Sequence, residues 1–322
     1  MCTPRVCVLI FMLVGCACLP VASTPVSNIS YAQAVADRNF NPRVSRPAYD
    51  GRHPKVLFDE AHNNAVTVDG AYRPFVDLIS SDGYQVLPNG REFSKKALSG
   101  VDILVIANPS GPQNQPEASA FTEEESNAVK NWVDAGGSLL LIISHLPFSA
   151  AADLLTKRLN VDITKGHTFD RSNYDRESAD ETQLLFTRTN HLLQDHAITR
   201  GRTASEGINK IVTFSGTSLK GPDGSVPFLA LADTAMDVRA AVALKPSSAE
   251  EAPPDHKQVS TAGRAQGIAM ESGKGRVVIL GEAAMLTAQI TPQGFRFGMN
   301  LPGFDNRQLA LNIMHWLSRL LK

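Results

Sequence analysis

The chain of 322 residues has no cysteine beyond position 18, because Cys2, Cys7, Cys16 and Cys18 are its only four. The rest of the chain therefore cannot form a disulfide, supply a thiolate metal ligand or use a cysteine nucleophile. An excess of charge of one sign is also missing: 31 Lys and Arg residues against 32 Asp and Glu residues leave a formal net charge of −1. That balance gives no electrostatic reason to expect nucleic acid or an anionic membrane surface as a partner. No Gly-x-x-x-x-Gly-Lys-Ser/Thr phosphate loop occurs either.

The composition that remains is that of a globular protein. Hydrophobic residues make up 43% of the chain and charged residues 20%, which excludes disorder along the whole chain. The length is enough for one large domain or two small ones, with ample chain to bury a core.

The first 23 residues have the pattern of an export signal. Arg5 precedes an apolar run over 6–14, which is long enough for the core of a signal peptide and too short to span a bilayer. The run ends in Leu-Val-Gly-Cys16, which resembles a bacterial lipobox and implies cleavage before Cys16 and diacylation of its thiol. We therefore expect a membrane-anchored lipoprotein facing the periplasm or the cell exterior, held by a lipid anchor. A cut after Ser23, which would release a soluble secreted protein, and an uncleaved start are the alternatives.

Two segments have the composition of loops. Residues 24–53 contain three X-Pro pairs, a fourth begins at His53, and periodicity is weak, which predicts a linker between the membrane and the globular part. Residues 246–265 are rich in Pro, Ser, Ala and charge, which predicts an exposed, mobile excursion. We expect a single domain over 54–322.

Within 54–322, short apolar strands alternate with helices. Strands are predicted at 55–59, 84–87, 102–107, 138–143 and 275–281, and helices at 72–83, 122–135 and 305–321. Fully apolar strands separated by helices indicate a mostly parallel sheet with helices on both faces. Over about 166–280 the strands are shorter and helices are fewer, which predicts antiparallel β additions at the edge of that sheet.

Several motifs occur in the order found in a known superfamily. They are the stretches at 58–63 (FDEAHN), 121–142, 196–201 (HAITRG) and 275–282 (GRVVILGE). Together they resemble the class I glutamine amidotransferase-like superfamily, and HAITRG is similar to the His-Pro-Ile-Thr-Arg-Gly stretch of its ThuA-like members. The resemblance covers about 54–322 and implies a flavodoxin-like α/β fold. It implies no activity, because the related GIFT domains are regarded as non-catalytic and a fold alone does not fix a function.

The cysteine nucleophile that the superfamily implies is missing. Its position, directly after the strand at 138–143, is occupied by Ser144 and His145, and the small residues that a strained nucleophile elbow needs are absent because Ile143 and Leu146 flank the site. We therefore expect no glutamine amide hydrolysis. A Ser144 hydroxyl that caps the next helix is the favoured interpretation, and Ser144 as a substitute nucleophile is the alternative.

Polar side chains follow four of the predicted strands, where open parallel sheets bind ligands. The candidate pocket residues are Asp59, Glu60, His62, Asn63, Asn108, Ser144, His145 and Glu282. Three interpretations remain open: these groups cap helices and loops, they line a ligand pocket, or they act in acid–base catalysis or bind a metal.

The sequence thus favours an exported, non-catalytic recognition protein of the cell envelope, with a carbohydrate or a protein as ligand and no cofactor. The alternative is a periplasmic hydrolase, with or without a metal, that uses Asp59, His62, His145 and Glu282. Convergence of these four side chains within about 5 Å would favour the hydrolase, because ionisable groups at that range shift one another's pKa values.

Overall fold

The computed structural model describes residues 34–238 and 258–322. The predicted signal peptide over 1–23 with Cys16, the first part of the linker, and residues 246–257 of the predicted excursion lie outside the described residues. No helix among the described residues is both long and apolar enough to cross a membrane.

The described chain alternates between strands and helices. The strands are β1 (Val35–Ala36), β2 (Lys55–Asp59), β3 (Gln85–Asn89), β4 (Ile103–Ala107), β5 (Ser138–Ile142), β6 (Asp162–Ile163), β7 (His167–Phe169), β8 (Leu185–Thr187), β9 (Lys210–Val212), β10 (Leu219–Lys220), β11 (Val226–Ala230), β12 (Met236–Val238), β13 (Gln258–Ser260), β14 (Ala265–Ser272), β15 (Gly275–Leu280), β16 (Ala288–Ile290) and β17 (Arg296–Gly298). The helices are α1 (Arg73–Ser81), α2 (Glu123–Asp134), α3 (Phe148–Ala151), α4 (Asp153–Arg158), α5 (Ala197–Arg200) and α6 (Asn306–Leu317), with short 3-10 helices at Ala204–Glu206 and Ala284–Leu286.

A nine-stranded sheet forms the centre of the molecule. Its parallel half has the order β3-β2-β4-β5-β15, which is 2-1-3-4-5 in chain order, the flavodoxin-like arrangement. The other half is antiparallel: β14 pairs with β15, and β10, β11 and β6 extend the sheet from there. The predicted fold class, a mostly parallel α/β sheet with antiparallel β additions, is confirmed.

Both faces of the parallel strands are buried, as their unbroken apolar sequence requires. Successive side chains of a strand point to opposite faces, so Ile103 and Val105 pack in the cluster that contains α1 and α6. Leu104 and Ile106 pack in the cluster on the other face, with residues of α2 and α4.

The start of α2 matters for the site because it fixes a carboxylate at the sheet edge. Thr122 caps the helix by accepting a hydrogen bond from the Glu125 backbone N–H, and the Glu125 carboxylate accepts one from the Thr122 N–H. This capping box satisfies backbone donors that a helix start otherwise leaves free.

The expected linker over 24–53 is wrong for residues 34–53, which pack on the domain. β1 pairs antiparallel with β16, and the chain is then held by hydrogen bonds from the Val44 and Ala48 amides to Ser81 and Asp82. Phe40, Val44 and Tyr49 pack against the core. Their irregular spacing follows no helix or strand period, so the sequence pattern hides this contact.

The described end of the predicted excursion is also ordered. Gln258–Ser260 forms β13, which pairs with β12, and β12 pairs in turn with β7 in a separate three-stranded sheet. Residues 261–264 then lead into β14. The mobile excursion that we expected up to residue 265 therefore does not include residues 258–265.

Candidate functional site

The carboxyl end of β2 carries a closed cluster of three ionisable side chains. His62 Nδ1 lies 2.8 Å from Asp59 Oδ1 and 2.9 Å from Oδ2, and His62 Nε2 lies 2.9 Å from Glu125 Oε1. Since both ring nitrogens face carboxylate oxygens, the arrangement suits an imidazolium that donates to both acids.

The cluster is shielded from solvent. Asp59, His62 and Glu125 are at most 5% exposed, and the imidazole ring packs against both Phe93 and Phe121, at centroid distances of 4.6 and 4.7 Å. Burial acts to lower the pKa of His62, but the hydrogen bonds and charges of Asp59 and Glu125 outweigh it and raise that pKa. Burial acts to raise the pKa of Glu125, and the Thr122 N–H, His62 and the Phe93 N–H together lower it.

Asparagines shape the two loops at the switch point of the strand order, between β2 and β4. Asn63 and Asn108 both have positive φ, 45° and 44°, a conformation that asparagine adopts more readily than most residues. The Asn108 side chain accepts a hydrogen bond from the Ser144 amide at 2.8 Å. Asn64 donates to Asp59 and to the Ala107 carbonyl, both at 3.1 Å. These bonds connect the ends of β2, β4 and β5 into one edge.

Ser144 has no elbow geometry. A nucleophile elbow is a strained turn, whereas Ser144 is not among the described residues with positive φ. Its hydroxyl does not cap the next helix as we expected: α3 has Pro147 as its N-cap and no side-chain cap. The helix begins at Phe148, so Ser144 lies three residues before its N-cap.

His145 stacks on His167, with ring centroids 3.9 Å apart. His145 Nδ1 donates to the Leu146 carbonyl at 2.7 Å, and His167 Nδ1 lies 3.0 Å from Ser215 Oγ. Burial lowers the pKa of His145. Burial and the charge of His145 lower the pKa of His167 to about 4. Both rings are therefore neutral at pH 7, and His145 presents Nε2 as an acceptor.

Glu282 is held in a different environment. Its carboxylate accepts hydrogen bonds from the amides of Ala284 and Met285, at the start of a 3-10 helix, and the second of these is 2.7 Å long. Burial raises the pKa of Glu282 to about 7, against the opposing effect of these amides. Glu282 is 1% exposed, so its role is to accept hydrogen bonds from the neighbouring backbone amides.

The eight predicted residues lie along one edge but do not form one cluster. Asp59 and His62 are in contact, Asn108 contacts the Ser144 backbone, and His145 and Glu282 make separate contacts. Glu60 accepts from the Val68 amide at 2.8 Å, and Asn63 is exposed. Over residues 34–238 and 258–322, no group of three or more His, Cys, Asp or Glu side chains is arranged to hold a metal ion.

Sequence reasoning missed the partners of two histidines. The capping box already explains the presence of Glu125, so the sequence around it gives no sign of its second contact, with His62. Phe93 and Phe121 are apolar residues whose sequence positions do not indicate that they cover a histidine. His167 lies in an irregular stretch of sequence, where no period indicates that it packs on His145.

No family model and no curated protein matches this chain. Among solved structures, the mmIFT52 N-terminal domain is similar, with a TM-score of 0.56 at 15% identity over 82% of this chain and 97% of that chain. A ThuA-like protein from Bacteroides uniformis has a TM-score of 0.40 at 12% identity, covering 84% of this chain and 94% of that one. A GMP synthase-like protein from Thermoplasma acidophilum has a TM-score of 0.42 at 10% identity, covering 84% and 97%.

The mmIFT52 domain supports a shared fold, since it matches nearly its whole length. At 15% identity the likeness extends to the fold alone. The strand order 2-1-3-4-5 points independently to the same flavodoxin-like sheet.

Proposed function

We propose that this chain is an exported, membrane-anchored recognition protein of the cell envelope, which binds a neutral, hydroxyl-rich ligand of the carbohydrate class without catalysis. The binding surface is the carboxyl edge of the parallel strands. The chain would then be a member of the class I glutamine amidotransferase-like superfamily that has lost amidotransferase chemistry.

The closed Asp59–His62–Glu125 cluster carries the proposal. An acid–base catalyst needs a group within hydrogen-bond reach of the substrate, but here both carboxylates and both imidazole nitrogens bond to one another beneath two phenylalanines. Glu282 is occupied by backbone amides. These four ionisable groups thus stabilise the fold, which supports ligand binding rather than catalysis at this edge.

The exposed part of the edge has the chemistry that hydroxyl groups need. The loop after β4 is held beside His62 by a hydrogen bond from the Ser110 amide to the His62 carbonyl, 2.9 Å long. This loop exposes the neutral amides of Gln113, Asn114 and Gln115. On the next strand, the partly buried His145 offers an acceptor nitrogen. Amides and neutral imidazoles both donate to and accept from sugar hydroxyls.

A panel of immobilised neutral and charged oligosaccharides, probed with purified full-length protein, tests this proposal. We expect selective retention by at least one neutral glycan, weakened in the variants His145→Ala and Gln113→Ala. The matched control is His53→Ala, which removes an exposed histidine preceding β2, at the opposite edge of the sheet. The proposal would be contradicted if no neutral glycan retained the protein. It would also be contradicted if His53→Ala weakened binding as much as His145→Ala does.

A further inference from the structure

A groove runs along α6, away from the carboxyl edge of the parallel strands. Its walls are the N-terminal segment over 41–47 and the loop over 202–206, and its floor includes Arg307, Leu311 and His315. These three residues are four apart, so they share one side of the helix. The groove encloses about 780 Å³, within the range of about 300–1,000 Å³ for small-molecule sites.

The lining of the groove is rich in positive charge. Its charged residues, apart from His315, are Arg43, Arg46, Arg202, Arg307, Asp82 and Glu206. Four guanidinium groups against two carboxylates leave a charge of +2, although the whole chain is nearly neutral.

Both carboxylates of the groove already have partners. Glu206 accepts from the Arg202 side chain at 2.9 and 3.0 Å and from the Arg202 amide at 2.8 Å. Asp82 accepts from the Ala48 amide at 2.8 Å and faces His315 Nε2 at 2.6 Å. The ion-pair partners of the two acids are Arg202 and His315, not the other three arginines.

Arg43, Arg46 and Arg307 form no ion pair with any carboxylate among the described residues. Arg307 is partly buried, and its side chain donates to the Arg43 carbonyl at 2.8 Å. Burial lowers the pKa of Arg307, and the charge of Asp82 opposes this effect only in part. Withdrawing a guanidinium from water is unfavourable, and an anionic ligand beside it would offset that cost.

His315 adds an unsatisfied polar atom to the same groove. The residue is 1% exposed, its Nε2 is used by Asp82, and its Nδ1 is buried without a hydrogen-bond partner. Buried polar atoms are nearly always bonded, so hydrogen bonding beneath the groove is incomplete at this nitrogen.

We propose that this groove binds a phosphate monoester carried on a small polar molecule. Guanidinium groups match phosphate oxygens with paired hydrogen bonds, and Arg43, Arg46 and Arg307 line the space without forming an ion pair with Asp82 or Glu206. Inorganic phosphate alone would leave most of the volume empty. The polar side chains of Ser45, Ser205 and Gln308, which also line the groove, would contact the rest of the ligand. This site is independent of the carbohydrate-binding edge.

Isothermal titration calorimetry on the full-length protein tests the site, with glucose 6-phosphate, glucose and inorganic phosphate as probes. We expect binding of glucose 6-phosphate that is tighter than that of inorganic phosphate. Any binding of glucose belongs to the carbohydrate-binding edge and should not change in the variants of the groove arginines. Arg46→Gln and Arg43→Gln should each weaken glucose 6-phosphate binding by roughly tenfold, the value of one charge-assisted contact. Both arginines are exposed, so these variants keep the fold. Arg91→Gln, an exposed arginine beyond the far end of β3, is the control and should bind like wild type.

Absence of glucose 6-phosphate binding, equal affinity for inorganic phosphate, or unchanged affinity in both variants would overturn the proposal. Sedimentation with vesicles of phosphatidylcholine containing phosphatidic acid then distinguishes the two sources of a phosphate monoester. It is carried out in the Cys16→Ser variant, which lacks the proposed lipid anchor that would hold the protein on any vesicle. Loss of co-sedimentation when Arg43→Gln and Arg46→Gln are added to that variant would assign the ligand to a lipid headgroup. Unchanged co-sedimentation, with sugar phosphate binding lost, would assign it to a soluble ester.

Discussion

The substitution His62→Ala is predicted to destabilise the protein strongly and in a pH-dependent way. It removes the cation between Asp59 and Glu125, which are both buried, and leaves two carboxylates without their shared donor. Removing one partner of a buried ion pair costs about 3–5 kcal/mol. At about 2 °C per kcal/mol for a large domain, the melting temperature should fall by roughly 6–10 °C.

The pH dependence follows from the two shifted groups. Because the folded-state pKa of His62 is raised above its ordinary value of 6.5, its stabilisation is complete below pH 6.5 and is lost as pH rises through the folded pKa. Because the pKa of Glu125 is lowered from 4.5, its stabilisation is present above pH 4.5 and is lost as pH falls through the folded pKa. The cluster therefore contributes most between about pH 4.5 and 6.5.

Urea unfolding of wild type and His62→Ala at pH 5.5 and pH 8.5 measures this contribution. The difference in the free energy of unfolding should be larger at pH 5.5. Glu125→Gln is the companion variant, because glutamine keeps the capping box but removes the charge. The double variant His62→Ala/Glu125→Gln should lose less free energy of unfolding than the two single variants lose together. The reason is that the substitution of Glu125 removes one of the two carboxylates left unpaired by His62→Ala. A loss below about 1 kcal/mol, or one that grows toward pH 8.5, would refute the reasoning.

Four other perturbations have defined outcomes. Glu282→Ala should lower the free energy of unfolding by at least about 2 kcal/mol in urea titrations, because two buried amides lose their acceptor; unchanged stability would contradict the geometry. Because the folded pKa of His167 is about 4, the free energy of unfolding of wild type should fall as pH drops from 6.5 through 4. In urea titrations His167→Gln should show a smaller fall over that range, and an equally steep fall would contradict the low pKa of His167. Purified protein should release no ammonia from glutamine, and its melting temperature should not respond to EDTA or zinc; glutamine hydrolysis lost in Ser144→Ala would restore the nucleophile hypothesis. Full-length protein should partition into the detergent phase and Cys16→Ser should not, whereas equal partitioning would contradict the lipid anchor.

Local signals account for the part of the fold that the sequence could predict. The apolar runs of β4 and β5, five and four residues long within the strands, indicate buried parallel strands on their own. The Thr122-x-x-Glu125 spacing likewise defines the start of α2 without any tertiary information. Both signals depend on residues within a few positions of one another, so the pattern is complete in the sequence.

The contacts that decide the site lie far apart in the chain. His62 and Glu125 are 63 positions apart. No sequence periodicity links a residue in the first turn of a helix to a residue in the loop after a distant strand. The packing of residues 34–53 escaped prediction for the same reason, because Phe40 and Tyr49 contact the core from a segment without regular structure. The polar residues at the strand ends could be named from the sequence, whereas their partners required the folded chain.

The most direct test of the central claim is the fate of the bound glycan. Wild-type protein should be incubated at pH 5.5 and 7.5 with the neutral oligosaccharide that it retains, and the recovered sugar analysed by mass spectrometry. We predict that the ligand is recovered intact while binding persists, since the carboxylates at the strand edge are occupied by His62 and by backbone amides. Cleavage products that disappear in the variant His62→Gln, with the fold retained, would contradict the account and establish a hydrolase at this edge.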